Sequence, residues 1–332
     1  MHTPILVIGS NSISGAFFIR HCLRAGHQVI GFSRSPELAP CFLPYRWLES
    51  TALARFSFEQ MDLNHHLDHF LNHAEATRAE LVVNFAAQSM VAESWANPDH
   101  WYQTNVVANV RLHEGLRKLP SLKKYVHIST PEVYGSCSGN VTEDQPFNPS
   151  TPYAASRAAA DLHLMTFFKQ YHFPVVFTRA ANVYGPGQQL YRIIPRTILA
   201  VLLGEKLQLH GGGHSVRAFI HLDDVADATY RVMQQGQPGQ AYHISTDRFI
   251  SIRDLVMMIC ERMGASFEAC VDIVGDRPGK DAAYLLDSTR CRRDLGWTDT
   301  VSLEQGIDEV IAWARQWLAE IQKHPLRYIH KP

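Results

Sequence analysis

A run of small residues near the start of the sequence could bind phosphate. Residues 9–15 read GSNSISG and follow an apolar run, Ile5 to Ile8, and a helical pattern begins at about Ala16. Between a strand and a helix, such a run lets backbone N–H groups and the helix dipole face a pyrophosphate. The middle glycine of the usual dinucleotide fingerprint is Ser12 here. The spacing therefore predicts a dinucleotide loop built from Gly9, Ser12, Ile13 and Gly15, although a simple strand-to-helix turn would show a similar pattern.

The residues after the second apolar run indicate which dinucleotide would bind. A free ribose 2′-hydroxyl would call for an Asp or Glu at this point, whereas the sequence has Ser33 and Arg34. An arginine beside a hydroxyl side chain suits the 2′-phosphate of NADP, so we expect NADP, with NAD as the less favoured cofactor. Arg34 could instead be a solvated loop charge. Asp62 and Leu63, after a third apolar run, are placed to hold the adenine.

The elements that must position these residues alternate between short apolar runs and amphipathic stretches. Over the first 179 residues this alternation predicts an α/β fold with a doubly wound parallel Rossmann sheet. After about residue 180, Pro and Gly clusters separate shorter elements, so we expect 180–332 to be mainly a smaller C-terminal substrate-binding domain. A segment near 217–245, with a strand at about 241–245, is expected to return to the sheet. The predicted strands are Ile5 to Ile8, Gln28 to Gly31, Leu81 to Asn84, Tyr125 to Ser129 and Val175 to Thr178, and the main helices are Ala16 to Ala25, Trp101 to Lys118 and Ala154 to Tyr171.

Polar residues follow the later strands. Residues 129–135, STPEVYG, come directly after a strand, so their side chains are expected at the carboxyl edge of the sheet, where such folds bind ligands. Tyr153 and Arg157 open a helix and lie one turn apart on the same face. Residues 179–186, RAANVYGP, leave a further strand.

With these motifs in order, the sequence resembles the extended short-chain dehydrogenase/reductases, specifically their nucleotide-sugar epimerase and dehydratase branch. Residues 84–89, NFAAQS, and 104–106, TNV, also match what that family carries, and so do RPGKD at 277–281 and DLGW at 294–297. The resemblance covers nearly the whole chain. It assigns Ala86 and Ala87 to the cofactor and Ser89 to the substrate.

The resemblance implies a tyrosine that takes a proton from a sugar hydroxyl while hydride passes to the nicotinamide. Tyr153 matches that tyrosine, and the cation four residues later is Arg157 where the family has lysine. A fixed positive charge would still favour tyrosinate, so we expect Arg157 to keep Tyr153 partly ionised near neutral pH. Arginine does not give up its proton, so a proton relay through it is not expected.

The resemblance also separates subclasses at residues 130–132. Glu132 stands where 4,6-dehydratases and UDP-glucuronate decarboxylases carry a glutamate, whereas 4-epimerases have a neutral group. Oxidation at the sugar C4 acidifies the C5 proton, so Glu132 is the candidate base of a 4,6-dehydratase that makes a 4-keto-6-deoxy sugar nucleotide. Thr130 would bind the C4 hydroxyl, and Pro131 cannot serve as an acid. A 4-epimerase, a decarboxylase or a non-catalytic dinucleotide-binding homologue remain as alternatives.

The substrate implied is a nucleoside-diphosphate sugar, whose diphosphate needs cations and amide donors. Arg217 and Arg277 lie where the family holds its diphosphate, and Asn182 resembles the asparagine that donates to the same group. Tyr284 is assigned to the sugar pocket. Gln188, Arg192 and Arg196 are weaker candidates, as consistent with a surface helix as with a cleft.

Composition excludes several other classes. With 31 Lys+Arg against 32 Asp+Glu, the chain has no basic field for nucleic acid. No apolar stretch reaches membrane-spanning length and no secretory signal is seen, while six scattered cysteines favour a reducing cytoplasm. The spacing of His65, His69 and His73 could bind a metal, but we interpret it as a solvated helix face and expect no metal site. The family resemblance favours a homodimer.

Overall fold

A seven-stranded parallel sheet forms the centre of the computed structural model, which describes residues 3–137, 139–275 and 285–331. Its strand order is β3-β2-β1-β4-β5-β7-β11, and every neighbouring pair is parallel. The predicted doubly wound Rossmann sheet is therefore confirmed. The strands are β1 (Ile5–Ile8), β2 (Val29–Ser33), β3 (Phe56–Gln60), β4 (Leu81–Asn84), β5 (Lys124–Ile128), β6 (Asn140–Val141), β7 (Val175–Ala180), β8 (Asn182–Tyr184), β9 (Leu207–His210), β10 (Val216–His221), β11 (Ala241–Ile244), β12 (Phe249–Ser251), β13 (Val271–Val274) and β14 (Leu285–Leu286).

Helices cover both faces of this sheet, which is why its interior strand β1 is apolar throughout. In β1 all four residues are buried: Ile5 and Val7 belong to one core layer, and Leu6 and Ile8 to the other. The α-helices are α1 (Ile13–Arg24), α2 (Ser50–Leu53), α3 (Leu67–Ala76), α4 (Pro98–Tyr102), α5 (Asn109–Leu116), α6 (Pro152–Tyr171), α7 (Ile193–Leu203), α8 (Leu222–Gln235), α9 (Ile252–Arg262), α10 (Phe267–Cys270), α11 (Thr289–Leu295), α12 (Leu303–Gln316) and α13 (Leu318–Ile321).

The single helix predicted over 101–118 is wrong in one respect. A π-helical turn at Gln103–Ala108 separates α4 from α5. Within it, Asn105 is fully buried and its side-chain amide bonds to the backbone of Gln88 and to Ser156 Oγ. Hydrophobic periodicity could not predict this turn, because it serves a polar contact with another segment.

Residues from the second half of the chain form a smaller region and also contribute to the main sheet. Strands β8, β10 and β12 form one small sheet, while α7, α9 and α12 enclose a separate apolar core. Helix α8 packs against α1, and β11 pairs with β7 in parallel. In the segment 217–245 it is thus α8 and β11 that return to the dinucleotide region, whereas β10 stays in the small sheet. We propose the two-domain division predicted from the sequence with this interleaving.

The described residues contain no helix that is both long and apolar enough to cross a membrane. All six cysteines are free thiols, and four of them are buried: Cys22, Cys41, Cys260 and Cys291.

Substituting Ile259 by Ala should destabilise the smaller region. Ile259 in α9 is completely buried in its apolar core, so the change should cost about 2–5 kcal/mol of unfolding free energy. The matched control is Ile273→Ala in β13, where the side chain is 59% exposed and the cost should stay below about 1 kcal/mol. Chemical denaturation of both variants measures the difference, and equal losses would contradict this description of the core.

Candidate active site

Two adjoining pockets lie at the carboxyl edge of the parallel sheet. The larger is a cleft of about 620 Å³, and the smaller is a groove of about 140 Å³; both are lined in part by Ser12, Phe85 and Ala87. The predicted residues that line the cleft are Ser12, Ile13, Ala87, Ser89, Thr130, Glu132, Tyr153, Arg157, Asn182 and Arg217. Those that line the groove are Gly9, Ser12, Ser33, Arg34, Asp62, Leu63, Ala86 and Ala87. Arg277 and Tyr284 lie outside the described residues.

The loop between β1 and α1 makes the closest backbone approach in the groove. A Cβ on Gly9, whose φ is +82°, would lie 2.6 Å from the backbone nitrogen of Ala86. A Cβ on Gly15 would lie 2.5 Å from the carbonyl oxygen of Gly9. Only glycine fits at either position, so this loop can present its backbone and the start of α1 to a bound group.

The Ser12 hydroxyl serves the loop itself. Its Oγ donates to the Gly9 carbonyl oxygen at 2.7 Å and accepts from the Gly15 N–H at 3.0 Å, which caps α1. The serine that replaces the middle glycine of the fingerprint therefore stabilises the turn. Its hydroxyl makes both of these hydrogen bonds within the loop.

Arg34 and Asp62 both line the groove but make different contacts. Arg34 is half-buried, and its Nη2 donates to the carbonyl oxygen of Lys331 at 3.1 Å. Asp62 Oδ1 accepts from the Asn64 N–H at 2.8 Å, which fixes the turn after β3. The groove thus presents a cation next to the Ser33 hydroxyl, while the carboxylate of Asp62 is partly used by its own loop.

The loop after β5 brings Thr130 and Glu132 to the cleft. A 3₁₀ turn, Pro131–Tyr134, begins there, and Thr130 Oγ1 accepts from the Glu132 N–H at 3.4 Å. The turn ends at Gly135, whose φ is +64° and where a Cβ would lie 1.9 Å from the Asn148 carbonyl oxygen. The loop therefore has a fixed path that directs Thr130 and Glu132 into the cleft.

Tyr153 and Arg157 lie in the first two turns of α6, as their spacing predicts. The helix starts at Pro152, and the Thr151 hydroxyl caps it by accepting from the Ala154 N–H at 3.1 Å. Tyr153 is 8% exposed and Arg157 is 2% exposed, yet both line the cleft.

Burial controls the ionisation of Tyr153. Loss of solvation raises its pKa to about 12, and the negative charge of Glu132 acts in the same direction. The positive charge of Arg157 and a hydrogen bond with Thr130 lower the pKa, but they do not compensate. The expectation that Arg157 keeps Tyr153 partly ionised near neutral pH is therefore wrong for the protein alone. The arginine acts in the predicted direction, and desolvation outweighs it.

The Arg157 guanidinium is held against the sheet. Its Nη2 donates to the Ile128 carbonyl oxygen and to His127 Nε2, the latter at 3.2 Å. Burial keeps the pKa of His127 well below its usual range, so this imidazole is neutral and can accept. Nε and Nη1 of Arg157 have no hydrogen-bond partner among the described residues. Arg157 thus keeps two buried donors without a partner among the described residues.

A buried carboxylate lies below these residues. Asp161, one turn after Arg157 in α6, accepts at Oδ2 from Ser129 Oγ at 2.6 Å and from Arg179 Nη2 at 2.8 Å. Asp161 Oδ1 is 3.5 Å from His127 Nε2. This network links the loop after β5, α6 and β7 beneath the cleft.

Sequence reasoning missed Gln88 and Tyr191. Gln88 is buried, lines the groove and donates through Nε2 to the Lys331 carbonyl oxygen at 2.7 Å. Tyr191 lines the cleft beside Arg192, one of the weaker candidates. The position of Gln88 directly after Ala87 in the matched motif was a usable signal, whereas nothing in the sequence singled out Tyr191.

Two groups of potential metal ligands lie among the described residues, and in both of them the ligand atoms already have partners within the protein. His69 and His73 each contact Glu59, but His65 precedes α3, so the predicted three-histidine face is incomplete. His221, Asp223 and Glu309 offer ligand atoms within 4.8 Å of one another. There, however, Arg20 binds Asp223, and His221 Nδ1 accepts from the Asp223 N–H, which places the imidazole proton on Nε2 facing Glu309.

Comparisons with known proteins agree with this geometry. The profile of the GDP-mannose 4,6 dehydratase family matches residues 6–310. The dTDP-glucose 4,6-dehydratase of Neisseria gonorrhoeae is 32% identical over 93% of this chain and 94% of that protein. A trifunctional UDP-glucose 4,6-dehydratase/UDP-4-keto-6-deoxy-D-glucose 3,5-epimerase/UDP-4-keto-L-rhamnose-reductase of Arabidopsis thaliana is 32% identical over 74% of this chain. The chain spans only 37% of the length of that relative.

Two solved structures show the same fold over nearly the whole chain. The dTDP-glucose 4,6-dehydratase of Streptomyces venezuelae, solved with NAD and TYD bound, has a TM-score of 0.83 at 30% identity, covering 94% of this chain and 97% of that one. The UDP-glucose 4-epimerase of Thermotoga maritima, solved with UDP-glucose, has a TM-score of 0.84 at 25% identity, covering 95% and 99%. The chain therefore belongs to the GDP-mannose 4,6 dehydratase family, in the nucleotide-sugar dehydratase and epimerase branch of the extended short-chain dehydrogenase/reductases.

Proposed function

We propose that the protein is a nucleotide-sugar 4,6-dehydratase that uses a bound NADP to make a 4-keto-6-deoxy sugar nucleotide. One observation carries the proposal: Glu132, Thr130 and Tyr153 line the same cleft, and Glu132 is close enough to raise the pKa of Tyr153. A carboxylate beside the oxidation tyrosine is what elimination requires, and simple epimerisation does not need it. The curated dehydratase relatives support the same reading.

The residues present fit a dinucleotide. Gly9 and Gly15 leave room only for backbone, and Arg157 keeps two buried donors that have no partner among the described residues. The loop after β1 would hold the pyrophosphate, Ser33 and Arg34 the adenosine ribose, and Arg157 the ribose next to the nicotinamide. When bound there, the nicotinamide would supply a reversible hydride acceptor.

Within the cleft, Tyr153 would take the proton of the sugar C4 hydroxyl, with Thr130 hydrogen-bonded to the same oxygen. Oxidation at C4 acidifies C5, and Glu132 would then remove the C5 proton. Because Tyr153 has a raised pKa in the protein alone, its activation depends on the charges that surround it once the site is filled.

We propose that the acid for the leaving C6 hydroxyl also comes from this chain. Pro131 lines the cleft and has no proton to give. Glu132, having accepted the C5 proton, would pass it to the C6 hydroxyl, which leaves as water. The sugar would regain at C6 the hydride lost from C4, and C5 would take up a proton that balances the one Tyr153 removed from the C4 hydroxyl. The net change would be the loss of one water from the sugar.

The choice of NADP rests on the groove. Arg34 lines it next to Ser33, and a guanidinium beside a hydroxyl would bind a 2′-phosphate on the adenosine ribose. Asp62, the acidic residue that we assign to the groove, accepts a hydrogen bond from its own turn. These features favour a phosphate over a free hydroxyl.

The substrate diphosphate would bind on the far side of the cleft. Arg217 in β10 and Asn182 in β8 line it there, and Arg192 does so from the start of α7. We propose that these donors hold the nucleoside diphosphate, with Ser89 on the sugar side.

A homodimer is part of the proposal. Apolar side chains are exposed on neighbouring helical segments, namely Tyr102 at 39%, Val107 at 38% and Leu162 at 57%. They lie on α4, the π-helical turn and α6, which pack against one another. A second copy of the chain is the proposed cover for this face.

A nucleotide-sugar 4-epimerase is the second candidate, favoured by the fold shared with the Thermotoga maritima enzyme. The products separate the two functions. Incubation with a panel of GDP-, dTDP-, UDP- and CDP-sugars, read by mass, gives loss of water for a dehydratase and no mass change for an epimerase. Loss of carbon dioxide would indicate a decarboxylase, and no reaction on any sugar would indicate a dinucleotide-binding homologue.

Glu132→Gln should keep cofactor and substrate binding but lose product formation by on the order of a hundredfold or more, because the amide cannot take the C5 proton. The control is Glu75→Gln, an isosteric change on the exposed side of α3. Dehydrated product measured over time for both variants checks the assignment. Turnover like the parent's in Glu132→Gln would rule it out.

Arg34→Asp should weaken NADP binding at least tenfold more than NAD binding, because it removes a phosphate partner and adds repulsion. Arg34→Met should give a smaller shift in the same direction. The ratio of the two dissociation constants is the readout, since any general damage to the groove affects both cofactors. An unchanged ratio would mean that Arg34 does not contact the ribose phosphate.

Arg157→Met should raise the pKa of Tyr153 further, because the lowering effect of the positive charge is lost. Tyrosinate would then form only at higher pH, so the pH–rate profile should move to higher pH with a loss of roughly a hundredfold near neutrality. Arg157→Lys keeps the charge and should stay active. A parent-like pH profile for Arg157→Met would show that the arginine has no electrostatic role.

A further inference from the structure

The segment 324–331 crosses the surface without regular secondary structure, with bends at residues 324, 326 and 327. Its side chains alternate: His324, Leu326, Tyr328 and His330 are half-buried, whereas the odd-numbered residues between them are exposed. A period of two is what an extended chain shows when one face lies on the protein. The segment therefore has a defined inner face.

The inner face contacts residues from both the first and the second half of the chain. His324 packs edge-on against Phe42, with ring centroids 4.9 Å apart, and Tyr328 packs edge-on against Tyr191 at 5.6 Å. Tyr191 lines the cleft. These contacts fix the first part of the segment beside the substrate side of the site.

His330 fixes the other end to the dinucleotide region. Its ring stacks on Trp101 with centroids 5.1 Å apart and the planes 13° from parallel. Its Nε2 is 2.8 Å from His100 Nδ1, and its Nδ1 is 3.2 Å from the Tyr328 hydroxyl. Trp101 is fully buried in α4, so His330 rests on a rigid support.

The next residue reaches the groove. The Lys331 carbonyl oxygen accepts from Gln88 Nε2 at 2.7 Å and from Arg34 Nη2 at 3.1 Å. Gln88 and Arg34 both line the groove assigned above to the adenosine. The segment thus passes from the cleft to the groove and binds side chains of each.

We infer that residues 324–331 form a strap that slows release of the bound dinucleotide. The inference rests on the proposed function only in that a dinucleotide binds. A cycle that returns its hydride leaves the cofactor as it began, so release between turnovers is unnecessary. We expect the cofactor to leave the groove past Arg34 and Gln88. The hydrogen bonds to Lys331 and the stacking of His330 on Trp101 would then have to break first.

The test measures release in the full chain. The protein is loaded with NADPH, and in a parallel arm with NADH, and reduced-nicotinamide fluorescence is followed after addition of excess oxidised cofactor. Tyr328→Ala/His330→Ala, which removes two inner-face rings, should raise the dissociation rate roughly tenfold. The matched control is Arg327→Ala/Ile329→Ala on the outer face, where Ile329 is 61% exposed, and its rate should stay within about twofold of the parent.

A second measurement needs no variant. Amide hydrogen exchange of the peptide spanning 324–331 should slow when NADPH is added to the parent protein, because a bound cofactor would stabilise the strap in its closed position. Parent-like release from a folded Tyr328→Ala/His330→Ala variant, or exchange unchanged by NADPH, would overturn the strap. Accelerated release from a protein that converts no sugar nucleotide would support the strap and overturn the dehydratase. A protein that binds neither NADPH nor NADH would overturn both.

Discussion

The arrangement of the site depends on a guanidinium that is almost completely buried. Arg157 has lost its water, and a buried charge is costly unless polar groups surround it. The Ile128 carbonyl oxygen and a neutral His127 meet this need on the sheet side. Because those two residues belong to β5, the helix carrying Tyr153 has a set position against the strand that leads to Thr130 and Glu132.

The buried polar groups beneath Arg157 also need partners. His127 is 3.5 Å from Asp161, and Asp161 also binds Arg179 and Ser129. One carboxylate thus accepts hydrogen bonds from Ser129 and Arg179 below the cleft. The pKa of Tyr153 in the cleft itself is set by desolvation together with charges of both signs, namely those of Glu132, Arg157 and Arg192.

The sequence was informative where chemistry needs a fixed spacing. The glycine loop, the residues after β5 and the pair in α6 all lie at the sheet edge, as their positions after apolar runs predict. The sequence was less informative about the pKa of Tyr153, which several opposing effects determine. The charge of Arg157 was evident, but the solvation lost by Tyr153 depends on packing from several elements. Nor could periodicity predict the π-helical turn at Gln103–Ala108 or the strap, since each depends on residues distant in the chain.

The interleaving of the two halves has a consequence for how the chain folds. Helix α8 supplies Val225, Ala228 and Val232 to one core layer of the main sheet, and β11 covers the edge of β7. During synthesis, the first 179 residues therefore expose an apolar sheet face and an unpaired strand edge until about 65 more residues have emerged (residue 244, the end of β11). Such a nascent chain is prone to association, so completion of the sheet and docking of the smaller region should occur together, and folding should be slow and dependent on non-local contacts.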